Sequence, residues 1–202
     1  VAYGATGDDY TDDAEAIQDC IDAASDCGGG VVFLPPGRYD LHTSQDAQYN
    51  STLLTLRDNV TILGSGKGVS ILRVVDNYRT AWRGTCIFGD LRGTGEGVAD
   101  GFTQNWAIRD LTLDGNGQNN LITDSEITSL ENTSLGAGVY ARRCSNVTIE
   151  NVEFVNITGA NALMLTGYGD GYATTPEVTG NRVSNCVFRN MANDISGNNL
   201  SD

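Results

Sequence analysis

The residues best suited to chemistry in this 202-residue chain fall in its second half. Asp170 lies within Gly167-Tyr168-Gly169-Asp170-Gly171-Tyr172, where flanking glycines leave room for a ligand and Tyr168 and Tyr172 offer ring faces to a sugar. A second carboxylate, Asp194 in Ala192-Asn193-Asp194-Ile195, could complete the pair that glycoside hydrolysis needs, provided the fold holds the two at a suitable separation. Arg142-Arg143, beside Tyr140, is the only paired basic feature. A guanidinium there can bind a carboxylate or, with its proton displaced, act as a base. The catalytic candidates are thus Asp170, Asp194 and Arg143, and the substrate-binding candidates Tyr140, Arg142, Tyr168 and Tyr172. Each has a plainer reading: a loop made of turn formers around Asp170, a corner aspartate bonding its own backbone at Asp194, and a solvated strand edge at the arginines.

Other chemistries find little support. His42 is the only histidine and Lys67 the only lysine, so general-base choices are few. The five cysteines (Cys20, Cys27, Cys86, Cys144, Cys186) show no CxxC and no Cys/His spacing for zinc. Most are expected to act as small buried hydrophobes. Asp114-x-Asn116-x-Gln118 echoes a calcium loop but lacks the closing acid, so no metal or other cofactor is expected. Six Asn-x-Ser/Thr sequons, at Asn50, Asn59, Asn132, Asn146, Asn156 and Asn199, are possible glycan acceptors. An asparagine at a corner followed by a β-branched strand generates the same tripeptides without any glycan. Twenty-six acids against 12 bases give a net charge of −14, which argues against nucleic acid as a partner. The same charge repels anionic polymers unless a local groove is basic. No run of 18 apolar residues occurs, so no membrane-spanning helix is expected.

The elements that must position these residues are short and repetitive. Residues 12–27 read as a helix, with Asp12 as N-cap and Glu15 three residues on, an apolar stripe of Ala14, Ile17, Ile21 and Ala24, and a stop at Gly28-Gly29-Gly30. A buried strand, Val31 to Leu34, follows, then a turn at Pro35-Pro36-Gly37 and a second strand, Arg38 to Leu41. Trp106 to Leu113 then aligns with Val147 to Phe154, and again with Arg182 to Phe188, at intervals of 41 and 34 residues. In each copy the inward alternation slips by one residue, at Asp110, Asn151 and Asn185. A straight strand cannot do this; the chain must bend at the Asn or Asp. Ile149 should then stack on Val183, and Val152 on Cys186, as coils pile one on the next. No clean hairpin signal supports an antiparallel sandwich instead.

The opening stretch carries a family likeness. Tyr3-Gly4-Ala5-Thr6-Gly7-Asp8-Asp9, then Asp12-Asp13, Ala16-Ile17-Gln18, and Gly28-Gly29-Gly30 through Pro35-Pro36-Gly37 and Tyr39 resemble the start of the pectate-lyase-like superfamily. That superfamily includes pectate lyases, rhamnogalacturonases, mannuronan epimerases and phage depolymerases. Leu113-Asp114-Gly115-Asn116-Gly117 and the region from Asn146 look like its later rungs. The resemblance implies an all-β chain, a right-handed parallel β-helix whose N-terminal α-helix caps the apolar end. Residues 1–202 are expected to form one β-helix domain, with coils over 31–202, as the N-terminal part of a longer solenoid. In the mannuronan epimerases the stretch after the Asn146–Ile157 rung carries an Asp-Pro-His-Glu motif. Here Ala160-Asn161-Ala162-Leu163-Met164-Leu165 holds neither Asp nor His. Asp194 falls where related enzymes often place an acid on the next rung.

The resemblance implies an extracellular, surface- or virion-associated protein that acts on or binds a polysaccharide or cell-surface glycan, by lyase, hydrolase or epimerase chemistry if it is an enzyme. The alternative is a non-catalytic subunit of a surface filament or virion fibre, assembled by end-to-end stacking through an open C-terminal rung.

Overall fold

Nine corners among the described residues are made by an asparagine or aspartate in a conformation most residues avoid. Asn59, Asn105, Asp110, Asn116, Asn146, Asn151, Asn156, Asn185 and Asn190 all have φ between 51° and 62°. Short polar side chains tolerate that left-handed region because they bond locally. Here they also bond to one another, coil to coil. Asn105 Nδ2 donates to Asn59 Oδ1 (3.0 Å), Asn151 to Asp110 (2.6 Å), Asn156 to Asp114 (2.9 Å) and Asn190 to Asn156 (3.1 Å). Glycine is required where a corner leaves no space. A Cβ on Gly64 would lie 2.2 Å from the Asp110 carbonyl oxygen, and Gly29, at φ 130°, packs on Asn59.

Between these corners run short strands, all paired in parallel. The computed structural model describes residues 3–42, 52–76, 86–89, 103–120, 137–142, 144–157, 161–166 and 179–191. In chain order they form β1 (Asp8–Asp12), α1 (Ala14–Asp26), β2 (Gly30–Phe33), β3 (Gly37–Leu41), β4 (Thr52–Thr55), β5 (Val60–Leu63), β6 (Ser70–Val74) and β7 (Cys86–Gly89). Then follow β8 (Thr103–Gln104), β9 (Ala107–Asp114), a 3₁₀ turn at Gly117–Asn119, β10 (Ala137–Arg142), β11 (Cys144–Ser145), β12 (Thr148–Val155), β13 (Leu163–Thr166), β14 (Arg182–Ser184) and β15 (Val187–Arg189). Together they make a right-handed parallel β-helix with three main faces. The first holds β2, β5, the start of β9, the start of β12, and β14. The second holds β1, β3, β6, the ends of β9 and β12, and β15. The third holds β4, β7, β10 and β13.

Each face sends one column of side chains inward. Ile62, Ile108, Ile149 and Val183 stand in register on the first face. Tyr39, Leu72, Leu113, Phe154 and Phe188 do so on the second. Leu54, Phe88, Val139 and Leu163 complete the third. Ile108, Leu72, Leu113, Ile149, Phe154, Leu54, Phe88 and Val139 are fully buried. The expected stack of Ile149 on Val183 is present, and Cys186 packs against the same core.

Two local expectations change. The helix N-cap is Asp13, not Asp12, and no cap bond of the Asp12–Glu15 kind is made from it. The Asp13 carboxylate instead accepts the Thr6 N–H (2.7 Å) and the Gly7 N–H (3.2 Å), while Asp12 Oδ1 accepts from Ala14 N–H (3.0 Å). The strand expected to be buried throughout is buried on one side only, because its outer face meets no layer. Val32 and Leu34 point in, while Val31 and Phe33 are 62% and 55% exposed.

Helix α1 closes one end of the solenoid. Ile17 and Ile21 are 1% exposed and join the core. Gln18 acts as a strand mimic: its Oε1 accepts the Thr55 N–H (2.7 Å) and its Nε2 donates to the Thr55 carbonyl (3.3 Å). The backbone of edge strand β4 is thereby satisfied at that position. Asp22 accepts from Arg57 Nε at 2.6 Å beside it.

Candidate functional site

A β-helix binds ligands on the outside of its faces, because the inside is filled. The third face carries the strand that follows the Asn146–Ile157 rung. There β13 pairs with β10, with Val139 opposite Leu163, Tyr140 opposite Met164, and Arg142 opposite Thr166. Tyr140 is 6% exposed and packs in a small apolar cluster with Cys86, Ala137 and Met164, apart from the main core. Thr52 Oγ1 lies 3.4 Å from Cys86 Sγ in the same strip. Tyr140 is thus part of a packed apolar strip in which no carboxylate or imidazole stands among the described residues. Asp170, Asp194, Arg143, Tyr168 and Tyr172 lie outside the described residues, as do the sequons at Asn50, Asn132 and Asn199.

The second face is crowded with charge, and its carboxylates are engaged. Arg38 Nε donates to Asp40 Oδ1 at 3.2 Å, and Arg73 sits 3.6 Å from the same oxygen. Arg73 also meets Asp76, whose Oδ1 accepts Asn116 Nδ2 at 2.8 Å. These bonds, that of Asn116 foremost, hold the Asp76 carboxyl below the ordinary range. Further along, Thr112 Oγ1 donates to Glu153 Oε2 (2.9 Å) and accepts from the Gly68 N–H (2.8 Å), while Arg189 Nε donates to Glu153 Oε1 (2.7 Å). General acid catalysis needs a carboxyl whose pKa is pushed up toward the working pH. Asp76 is pushed the other way. This face is built as a lattice that ties coils together.

The calcium-like stretch belongs to that lattice. Asn116 is fully buried, donates to the Val74 carbonyl (2.9 Å) and Asp76, and accepts from Gln118 Nε2 (3.0 Å) and Asn119 Nδ2 (2.9 Å). Among the described residues no group of three or more His, Cys, Asp or Glu is placed to hold a metal ion. The sequons at Asn59, Asn146 and Asn156 are corner residues, and the Asn156 amide nitrogen is already bonded to Asp114.

The first face differs from both. Its outward positions form two columns. One runs Val31, Thr61, Ala107, Thr148, Arg182; the other runs Phe33, Leu63, Arg109, Glu150, Ser184. Arg109 Nε is 3.7 Å from Glu150 Oε2, and Lys67 Nζ donates to the Asn185 carbonyl (3.1 Å) at the adjoining corner. These basic positions were not singled out in the sequence, although the 41- and 34-residue repeat that aligns Ile108, Ile149 and Val183 also aligns Arg109, Glu150 and Ser184.

Residues 1–201 match the family described as rhamnogalacturonase A/epimerase, pectate lyase-like. The mannuronan C5-epimerase AlgE6 of Azotobacter vinelandii is 40% identical over 158 residues, covering 78% of this chain and 16% of that protein. Alginate lyase 7 of the same organism is 34% identical over 156 residues, 77% of this chain and 16% of that protein. The solved A-module of Azotobacter vinelandii AlgE6 superposes with a TM-score of 0.59 at 29% identity, covering 94% of this chain and 42% of the module. The chain therefore spans less than a fifth of the length of these two curated relatives.

Proposed function

This chain belongs to the rhamnogalacturonase A/epimerase, pectate lyase-like family, and on that premise we propose that it is one β-helix domain of an extracellular or virion-associated protein that holds, and in its full form processes, a polysaccharide. The observation that carries this reading is the 40% identity to an enzyme named for mannuronan, on a fold shared along 94% of the chain. A uronan, whose every sugar bears a carboxylate, is the ligand class the relatives' names support. Binding is the better supported half. Where the resemblance places a catalytic motif, β13 offers Leu163, Met164 and Leu165, which neither donate nor take a proton. Turnover, if present, rests on Asp170, Asp194 or Arg143, with Arg142, Tyr168 and Tyr172 around the sugar and Tyr140 packed in the apolar strip of β10.

The test uses the whole chain with polymannuronate, polygalacturonate, rhamnogalacturonan and a neutral glucan. Binding is read by affinity electrophoresis. Turnover is read by ultraviolet absorbance of unsaturated uronate, by reducing ends, and by C5 configuration in proton NMR. Retardation by at least one uronan is the expected result, and Asp170→Asn or Asp194→Asn should remove any turnover seen. No retardation and no product on any polymer overturns the reading.

A second reading, a non-catalytic subunit of a surface filament or virion fibre, draws on one observation. The β14–β15 coil leaves Val183, Val187, Phe188 and Met191 between 36% and 48% exposed, an apolar edge suited to another coil.

A further inference from the structure

We propose that the corner loop between β5 and β6, residues 64–69, is a strap that holds the β14–β15 coil on the solenoid, and that this coil opens as a unit when the strap releases. This holds whether or not the chain binds a polysaccharide. The carrying observation is a hydrogen bond between coils that are not neighbours. Lys67 Nζ, on the coil of β5 and β6, donates to the Asn185 carbonyl at 3.1 Å. The coils of β9 and β12 lie between them. Three strand spacings separate the two residues, about 14 Å at the usual separation. A lysine side chain alone does not span that distance, so the loop itself must lean along the axis.

The loop is built to lean. Gly66 and Gly68 have φ of 138° and 71°, a region that glycine enters without a Cβ penalty. The Gly64 N–H donates to the Arg109 carbonyl (2.9 Å), the Gly66 N–H to the Asp110 carbonyl (2.7 Å) and the Gly68 N–H to Thr112 Oγ1 (2.8 Å). All three acceptors belong to β9, so the loop is fixed one coil beyond its own before Lys67 reaches out. At its base, Ser70 Oγ accepts the Ser65 N–H (2.9 Å) and donates to the Leu34 carbonyl (2.8 Å). Asp110 and Asn185 occupy the same corner on different coils, with φ of 56° and 55°. One loop therefore takes both corner carbonyls, that of Asp110 through a backbone N–H and that of Asn185 through the chain's only lysine.

A second tether starts from the same loop. Thr112 accepts the Gly68 N–H and donates its own hydrogen to Glu153 Oε2 (2.9 Å), whose other oxygen accepts from Arg189 Nε (2.7 Å). This line runs through β9 and β12 to β15. Both tethers end on the described coil that burial holds least. β14 and β15 have three residues each, and Val183, Val187 and Phe188 stay 45%, 36% and 48% exposed, whereas Ile149, Val152 and Phe154 on the coil before are fully buried. Local opening is easiest where few apolar contacts are buried, so polar tethers weigh most there. With the strap closed the described solenoid ends on β14–β15; with it released, the end is β12.

The experiment measures native-state amide exchange by NMR on the whole chain. The Arg182 N–H donates to the Val147 carbonyl (2.8 Å) and the Asn156 N–H to the Arg189 carbonyl (3.2 Å), so both report the last coil. The Thr148 N–H, bonded to the Trp106 carbonyl (3.1 Å), reports the pair of coils before it. Wild type is compared with Lys67→Met, Lys67→Arg and the control Arg57→Gln, which removes a base beside α1. In Lys67→Met, Arg182 and Asn156 should exchange about threefold to tenfold faster, the effect of one lost hydrogen bond, while Thr148 keeps its wild-type rate. Lys67→Arg restores a donor and should return both amides toward wild type, and Arg57→Gln should leave all three unchanged. Wild-type rates at Arg182 and Asn156 in Lys67→Met overturn the strap. An equal acceleration at Thr148 also overturns it, because the lysine would then stabilise the solenoid as a whole rather than its last coil.

Discussion

Asp13 is the clearest case of a single residue whose chemistry and position pull against each other. Its side chain is fully buried, and burial pushes its carboxyl above the ordinary aspartate value of 3.8, while the N–H groups of Thr6 and Gly7 pull the other way. A raised folded pKa means that, between 3.8 and that raised value, the folded chain keeps a proton that the unfolded chain has released. The contribution of Asp13 to stability is therefore complete below 3.8 and declines as pH rises through the folded value. Asp8 and Asp76 have the opposite sign. Their carboxyls are lowered, Asp8 chiefly by the Tyr10 N–H and Asp76 chiefly by the Asn116 amide. What they contribute is present above 3.8 and lost as pH falls through their folded values. The two effects occupy different pH windows, so they can be separated. Urea midpoints measured across acid pH for wild type and Asp13→Asn should show the wild-type advantage shrinking as pH rises from 3.8. An advantage that instead grows with pH would mean that the carboxylate form, held by Thr6 and Gly7, is the one the fold prefers.

At the scale of elements, α1 is a lid made of two kinds of contact, and they predict different losses. Ile17 fills the end of the core, so Ile17→Ala should cost about 2–4 kcal/mol, the range for deleting a buried aliphatic side chain. Gln18 pairs with the Thr55 backbone of β4 at both its N–H and its carbonyl. Gln18→Ala should cost about 1–2 kcal/mol, read as a lower urea midpoint, and should leave a strand edge open to association. The helix stripe, the parallel coils and the corner slips were legible in the sequence because each rests on local chemistry. Asp110, Asn151 and Asn185 break the alternation of their own strands, and only a bend resolves that. Asp13 was not legible as the N-cap because its partners are Thr6 and Gly7, at the start of the chain. The outward exposure of Val31 and Phe33 was missed because four apolar residues in a row read equally well as buried on both sides. Tyr140 illustrates the limit for sites. A tyrosine beside two arginines suggests sugar binding, yet its place on β10 against Met164 and Cys86 depends on coils that only the folded register brings together. Asp170 and Asp194 carried no periodic signal of the kind that fixed the corners, and they lie outside the described residues.

For the described coils as a whole, the first and the last are chemically unlike, and this constrains any assembly built by stacking them. At one end α1 covers the core and Gln18 occupies the β4 backbone. At the other, Phe188 stacks on Phe154 with ring centroids 4.9 Å apart and remains 48% exposed, with Val183, Val187 and Met191 beside it. A head-to-tail polymer needs two complementary surfaces on each subunit. Here the surface that would receive the β14–β15 coil of a neighbour is already filled by α1. Among the described coils, stacking through β14–β15 is expected to pair two copies coil to coil, because a filament built this way would require α1 to be displaced. Native mass measured over a rising concentration series should stop at twice the chain mass. Phe188→Ser combined with Val187→Lys should hold it at the monomer, while Ile17→Ala, which loosens the lid, should let larger species form. Open-ended growth by the wild-type chain with α1 shown to be protected from amide exchange would mean that the contact lies on a face of the coil rather than at its end.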